Sequence, residues 1–362
     1  MSEFSATDCT YMADAIRLGW RGRYGAHPNP RVGCVIVKAG EVVGRGFHAR
    51  SGEGHAEVNA LAEAGDRARG AEAFVSLEPC NHQGRTGPCV DALLDAGISR
   101  VVAAMQDPFP EVAGQGLARL TANGVATALG LLEAEARALN EGYLSRLERQ
   151  RPFVRLKLAA SMDGATAMAS GESQWITGEA ARRDVQRLRA MSGAILTGIG
   201  TVLDDDPSLT VREVDVLAQP LRVVLDSNLR TPPEAKLFST AGDVLLCSTT
   251  DAGREPLEVA GAEVLVTPAD NQQVDVAGVL RELAKRQVND VLVECGPTLA
   301  GHLLSTGLVD ELVIYQAPHI MGSETRPMFA TATWQKLDDR LGLNVIDVRR
   351  VGADTRITAR PA

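Results

Sequence analysis

Aromatic residues are scarce in this chain, 4% of its 362 positions, and no run of eighteen apolar residues occurs anywhere. The second absence excludes a membrane-spanning helix, so no membrane partner is expected. Positive charge is also in deficit: 37 Lys and Arg against 46 Asp and Glu give a formal net charge of −9. A nucleic-acid partner calls for a basic channel and stacking rings, so none is expected either. The N-terminal residues lack the basic-then-apolar pattern of a secretory signal, which points to the cytoplasm. Six cysteines in a chain of this length make no disulfide framework. Cys9, Cys34, Cys247 and Cys295 read as small buried apolar side chains in a reducing compartment. Internal repeats and low-complexity stretches are missing as well.

What is present is chemistry. His55-Ala56-Glu57 is followed by Pro79-Cys80 and Pro88-Cys89. One imidazole and two thiolates can hold three corners of a zinc tetrahedron and leave the fourth for water. A carboxylate two residues after the His is placed to move that water's protons. The set is close to the H-x-E…P-C-x-x-C pattern of zinc deaminases, with a wider gap between the cysteines. A structural zinc site is the competing reading, but it has no use for Glu57. Cys89 to Leu94 reads as the first turns of a helix, and His55 opens an alanine-rich helical run to Ala68. Thiolates at a helix start gain from its partial positive charge.

Length suggests two domains, with a boundary near residue 150. Before it, Ala6–Arg21 is amphipathic, Val32–Val37 is an apolar strand, and Glu41–Phe47 is its hairpin partner across Ala39-Gly40. Further strands lie near Phe74 and Val101, and Glu133–Arg151 reads as one charged connecting helix ending at Pro152. After it, strands are expected at 153–159, 194–197, 221–226, 244–247, 264–266, 291–295 and 312–315, with helices at 179–191, 276–287 and 298–305. Both halves are therefore layered α/β.

Several segments together carry a resemblance. They are His27-Pro28-Asn29-Pro30-Arg31-Val32-Gly33, His55-Ala56-Glu57-Val58, and Leu77-Glu78-Pro79-Cys80 through Gly84-Arg85-Thr86 to Cys89. In the second half they are the runs Lys157–Gly164, Gly171–Thr177, Asp205–Arg212 and Glu294–Gly301. From about Tyr11 to the C-terminus the chain resembles the bifunctional riboflavin-biosynthesis deaminase/reductase family. The resemblance implies a cytidine-deaminase-like three-layer domain over 1–148, followed by a dihydrofolate-reductase-like α/β domain over 149–362. It implies zinc-dependent deamination of a diaminopyrimidinone ribosyl phosphate, then NADPH-dependent reduction of the ribosylamino group to ribitylamino. A homo-oligomer, dimer or tetramer, is implied too.

The same resemblance assigns residues. His55, Cys80 and Cys89 would hold zinc, and Glu57 would be the catalytic acid and base. Glu57 would take a proton from water, protonate a ring nitrogen, and finally protonate the departing ammonia. Asn29 matches the residue that reads the pyrimidine edge, against a plain turn residue as the alternative. His48 reads either as a substrate contact or as an ordinary surface His. His82 and Arg85 would meet the substrate or its phosphate; a fourth protein ligand from His82 would close the metal site. The family shows Ser-His-His or similar where this chain has Asn81-His82-Gln83. In the second domain no Rossmann fingerprint occurs, and the G-x-G at Gly198–Gly200 is weak alone. The Gly-rich turn Gly296, Pro297, Thr298, Leu299, Ala300, Gly301 and His302 would hold the NADPH pyrophosphate. Ala159, Trp175, Thr201, Asp205 and Ser227 would complete the cofactor site. Lys157, Asp163, Ser173, Arg189, Leu209, Arg212 and Glu294 would bind substrate. Arg182, Arg183 and Arg187 share a basic helix with Arg189, and only the family register singles out Arg189.

Three alternatives stand beside this reading: a nucleic-acid base deaminase with an accessory domain, an inactive pair serving as a scaffold, and a chain that keeps the reductase alone.

Overall fold

The computed structural model describes residues 4–82 and 87–362, and divides into two compact units, Met1–Gln150 and Arg151–Ala362. Arg85 and the neighbouring Gln83 to Thr86 lie outside the described residues.

In the first unit five strands form one sheet in the order β2-β1-β3-β4-β5: β1 (Gly33–Lys38), β2 (Glu41–Phe47), β3 (Glu72–Val75), β4 (Arg100–Ala103) and β5 (Ala126–Leu129). The β1–β2 hairpin and the β1–β3 pair are antiparallel, and β3, β4 and β5 run parallel. Strand alternation splits the core in two. Cys34 and Ile36 of β1 face one layer, with Ala56, Ala60, Ala64, Val90, Leu93, Leu117 and Leu120. Val35 and Val37 face the other, with Met12, Ala15, Leu139, Tyr143 and Leu144. The first layer is α2 (Ala56–Ala64), α3 (Cys89–Asp95) and α4 (Gln115–Ala122). The second is α1 (Ala6–Gly19), α5 (Glu133–Leu139) and α6 (Glu141–Arg149). Ser5 and Asp8 close a reciprocal cap on α1. Asp8 then pairs with Arg100 of β4, 3.2 Å away.

The expected single helix over Glu133–Arg151 is two. The break falls at Asn140, whose Oδ1 accepts from Arg31 N–H (2.8 Å) while its Nδ2 donates to Arg31 C=O (2.9 Å). That exchange pulls Asn140 out of helical geometry. Tyr143 and Leu144 are buried against the sheet, so α6 is part of the layer and not an exposed connector.

The second unit is built on a nine-stranded sheet, ordered β11-β10-β9-β8-β14-β6-β15-β18-β17. Its strands are β6 (Phe153–Ala160), β8 (Ala194–Gly198), β9 (Leu221–Leu225), β10 (Val244–Ser248), β11 (Ala262–Val266), β14 (Asp290–Glu294), β15 (Glu311–Gln316), β17 (Leu343–Val351) and β18 (Asp354–Pro361). Seven run parallel, and the β17–β18 hairpin adds an antiparallel edge. Small ribbons pair β7 (Ala165–Ala167) with β16 (Arg326–Pro327), and β12 (Ala269–Asp270) with β13 (Gln273–Val274). The helices are α7 (Glu179–Met191), α8 (Ile199–Asp205), α9 (Arg254–Val259), α10 (Val276–Lys285) and α11 (Pro297–Ser305). The central strands are apolar on both faces, as a sheet covered by helices requires. Among the described residues no helix is long and apolar enough to cross a membrane.

Candidate active sites

In the first unit, α2 is brought onto the sheet by small residues on both sides. A Cβ on Gly44 or Gly46 of β2 would stand about 2 Å from the Ala60 or Ala56 carbonyl oxygen, so only glycine admits the helix. His55 is the N-cap of α2, and Glu57 in its first turn is buried beneath. Cys89 opens α3, and its backbone N–H donates to Cys80 Sγ at 3.3 Å. His55 Nδ1 lies 3.1 Å from Cys89 Sγ and 3.5 Å from Cys80 Sγ, and all three ligand atoms fall within 4.8 Å of one another. One His nitrogen and two sulfurs at this separation suit a zinc ion and leave a coordination position free.

Electrostatics agree with the geometry. The Cys89 thiol and the His55 imidazole beside it hold Cys80 as a thiolate, down to about 4, while Cys80 pushes Cys89 up. Hydrogen bonding to Cys80 raises His55. Burial, helped by the Cys80 charge, lifts the Glu57 carboxyl to about 7. That is the range in which a carboxyl can both give and take protons.

Above this cluster, His48 is buried and its ring meets His55 edge-on, with centroids 5.2 Å apart. Its Nδ1 lies 3.2 Å from the Gly54 carbonyl and its Nε2 3.1 Å from Asn29 Nδ2. A carbonyl only accepts, so Nδ1 carries the hydrogen and Nε2 accepts from Asn29. Both His48 nitrogens are thus occupied, and Asn29 Oδ1 meets no donor among the described residues. His82 packs against Phe109, centroids 6.0 Å apart, with its Nδ1 buried and without a partner among the described residues.

The second unit holds a cleft of about 860 Å³ at the carboxyl ends of β6, β8 and β14, where open α/β sheets bind ligands. Lys157, Ala159, Ser173, Trp175, Arg189, Thr201, Asp205, Leu209, Arg212, Glu294, Gly296, Pro297 and Thr298 all line it. Glu294, largely shielded from solvent, accepts from Arg189 Nε (2.6 Å) and Nη2 (3.1 Å), with Lys157 Nζ at 3.7 Å. Burial opposes the Glu294 charge, yet Arg189 and Lys157 overcome it and hold the carboxyl at about 2. Burial, with repulsion from Arg189, lowers Lys157. Arg189 is set apart by its fork onto Glu294 and is far less exposed than Arg183 and Arg187, which spacing alone does not show. Ser173 Oγ donates to Asp205 (3.2 Å), and the Trp175 indole is 69% exposed with the Arg182 guanidinium 4.8 Å from its centre.

Family models match two stretches: "Cytidine and deoxycytidylate deaminase zinc-binding region" over residues 5–105 and "RibD C-terminal domain" over residues 152–357. The riboflavin biosynthesis protein RibD of Escherichia coli K12 is 50% identical over 356 residues, 95% of this chain and 96% of its own. The RibD of Haemophilus influenzae is 45% identical over 377 residues, 100% of this chain and 99% of its own.

The chain belongs to the RibD family.

It is a bifunctional deaminase/reductase of riboflavin biosynthesis, with a cytidine-deaminase-like unit followed by a RibD reductase unit. Among solved structures, the RibD of Acinetobacter baumannii superposes with a TM-score of 0.92 at 43% identity, covering 98% of this chain and 99% of its own. A Thermotoga maritima protein described as a diaminohydroxyphosphoribosylaminopyrimidine deaminase/5-amino-6-(5-phosphoribosylamino)uracil reductase gives 0.88 at 31%, with the same coverage.

Some residues that the RibD resemblance singles out lie away from the cleft lining. Asp163 accepts from Ser161 Oγ and from the Met321 and Gly322 N–H groups, and so fastens a loop. Ser227 accepts from Val274 N–H (3.2 Å). Leu299, Ala300, Gly301 and His302 form the body of α11, beyond its cleft-lining start. Gly301 is packed so tightly that a Cβ would stand 2.0 Å from the Ala330 carbonyl oxygen. Conversely, Arg182, Glu78 and Arg119 carry contacts that spacing did not reveal. A Glu directly before Pro-Cys was the one available hint.

Proposed function

We propose that the first unit hydrolyses the 2-amino group of 2,5-diamino-6-ribosylamino-4(3H)-pyrimidinone 5′-phosphate. The second unit would then reduce the ribosylamino product to the ribitylamino compound with NADPH. The carrying observation is the convergence of His55, Cys80 and Cys89 over buried Glu57.

Zinc bound by those three residues supplies a Lewis acid that brings the pKa of water from about 15.7 towards 7. The chain's own contribution is Glu57. Its carboxyl can accept a proton from water, pass one to a ring nitrogen, and deliver one to the leaving amine. The C2–O bond forms, the C2–N bond breaks, and ammonia departs. Asn29 Oδ1, left free by His48, would accept from the pyrimidine edge. His82 and Arg85 are assigned to the sugar phosphate.

In the second unit NADPH supplies hydride, so the protein's task is to orient and exclude water. Gly296 and Thr298 at the start of α11 offer backbone N–H groups for a pyrophosphate, and Pro297 between them, which has none, sets the first helical turn. We assign Trp175, Ala159, Thr201 and Asp205 to the nicotinamide side, and Ser227 to the far end of the cofactor. Ser173, Lys157, Leu209, Arg212 and the Arg189–Glu294 pair are assigned to the substrate, with the arginines on its phosphate. Asp163 is assigned to support of the neighbouring loop.

Edge strand β17 exposes Val345, Ile346 and Val348. An exposed apolar edge favours pairing with another strand, and we infer a homodimer through it. The free cysteines and the thiolate site suit the reducing cytoplasm. Ammonia release without NADPH, and NADPH oxidation only after ammonia release, would support the two-step order. NADPH oxidation with no ammonia release would overturn it.

A further inference from the structure

Both thiolates of the candidate metal site are bracketed by contacts to one helix that carries no ligand, α4. Glu78, two residues before Cys80, is buried and accepts four backbone N–H groups. Oε1 takes Gly116 (3.0 Å) and Leu117 (3.2 Å) in the first turn of α4, and Oε2 takes Gly114 (2.9 Å) and Asp107 (3.3 Å). The α4 N-cap is Gly114, which has no side chain to cap its own helix, so Glu78 caps it from outside. Gly116 makes the approach possible: a Cβ there would stand 2.0 Å from the Pro79 carbonyl oxygen.

One turn on, Arg119 of α4 reaches back to the same site. Its Nη1 donates to Asn81 Oδ1 (2.8 Å), one residue after Cys80, and its Nη2 pairs with Asp91, two residues after Cys89. The chain of contacts is closed: Glu78 and Asn81 fix Cys80 from either side, Asp91 fixes the start of α3, and Arg119 ties both to one helix. The Asn81 side-chain amide places its acceptor oxygen within reach of the guanidinium.

We propose that Arg119, with Asn81 and Glu78, is a positioning device that sets the Cys80–Cys89 separation and so tunes affinity for the metal. This rests on reading His55, Cys80 and Cys89 as the zinc ligands. Outer contacts of this kind typically change metal affinity by about 10- to 100-fold.

The test measures zinc affinity of the full chain by chelator competition, alongside the visible spectrum of the cobalt-substituted protein and the melting temperature of the metal-free form. Variants are Arg119→Met and the milder Asn81→Ser, with Arg119→Lys as a partial rescue. The expected result is weaker zinc binding by about 10-fold or more in Arg119→Met, less in Asn81→Ser, partial recovery in Arg119→Lys, and shifted cobalt bands, at an unchanged metal-free melting temperature. Should Arg119→Met fail to fold, Asn81→Ser decides the matter. Affinity within twofold of the parent, with an unaltered cobalt spectrum, overturns the proposal. So does an affinity loss that merely tracks a lower melting temperature. If the parent chain itself binds no zinc, the metal-site reading fails instead.

Discussion

Arg189 and Glu294 meet as a fork, Nε at 2.6 Å and Nη2 at 3.1 Å from the two carboxylate oxygens, with Lys157 Nζ 3.7 Å from one of them. The pair joins α7 to the end of β14, immediately before the Gly-rich turn. One contact therefore links the residue assigned to the substrate phosphate with the strand that presents the cofactor loop.

Glu294→Gln leaves two cations facing one neutral amide. Removing one partner of a buried pair costs about 3–5 kcal/mol, so the second unit should melt earlier. Reductase turnover should fall while ammonia release persists; calorimetry and paired activity assays read both.

The same pair gives a pH dependence. Glu294 titrates at about 2 in the folded chain against an ordinary value of 4.5. Its contribution to stability is fully present above about pH 4.5 and is lost as pH falls through 2. Glu294→Gln should flatten the acid-melting curve of the second unit across that window. An unchanged curve would show that the charge is not what holds the contact.

Glu57→Gln should lower deamination by about 10²–10⁴ and leave bound zinc near one equivalent, because the carboxylate moves protons and is not counted among the ligands. Metal analysis beside ammonia assays separates this from His55→Ala, which should lose zinc and deamination together. Reduction of a supplied deaminated substrate should survive in both.

Gly301→Ala drives a methyl into the Ala330 carbonyl. The shift should tilt α11 and its cleft-lining start, destabilising by about 1–3 kcal/mol. The Michaelis constant for NADPH should rise more than turnover falls. An unaffected Michaelis constant would mean that the start of α11 does not hold the cofactor.

Val348→Lys on β17 should move the chain from dimer to monomer in analytical ultracentrifugation. A parent that already sediments as a monomer contradicts the edge-pairing reading.

Much of this was legible in the sequence. The parallel strands and α7 carry uninterrupted periodicity, and the expected ranges fall within one or two residues of those found. The convergence of His55, Cys80 and Cys89 was readable because the His-x-Glu and Pro-Cys motifs name them, two of them at helix starts. The break at Asn140 was not, because it is dictated by Arg31, more than a hundred residues away in sequence. Strand β17 was not legible because Val345, Ile346 and Val348 are exposed among charges, which blurs the in–out alternation that marks a half-buried strand. Nothing in the sequence marks Arg119; only the fold brings it to Asn81 and Asp91.

The most direct test is mass spectrometry of the diaminopyrimidinone ribosyl phosphate after incubation with the zinc-loaded chain, with and without NADPH. Replacing amine by oxygen adds about one mass unit, and hydride plus proton about two more. A gain of about one without NADPH and about three with it is the predicted result. No gain without NADPH would contradict the deaminase assignment and direct attention to the segment from Asn81 to Thr86.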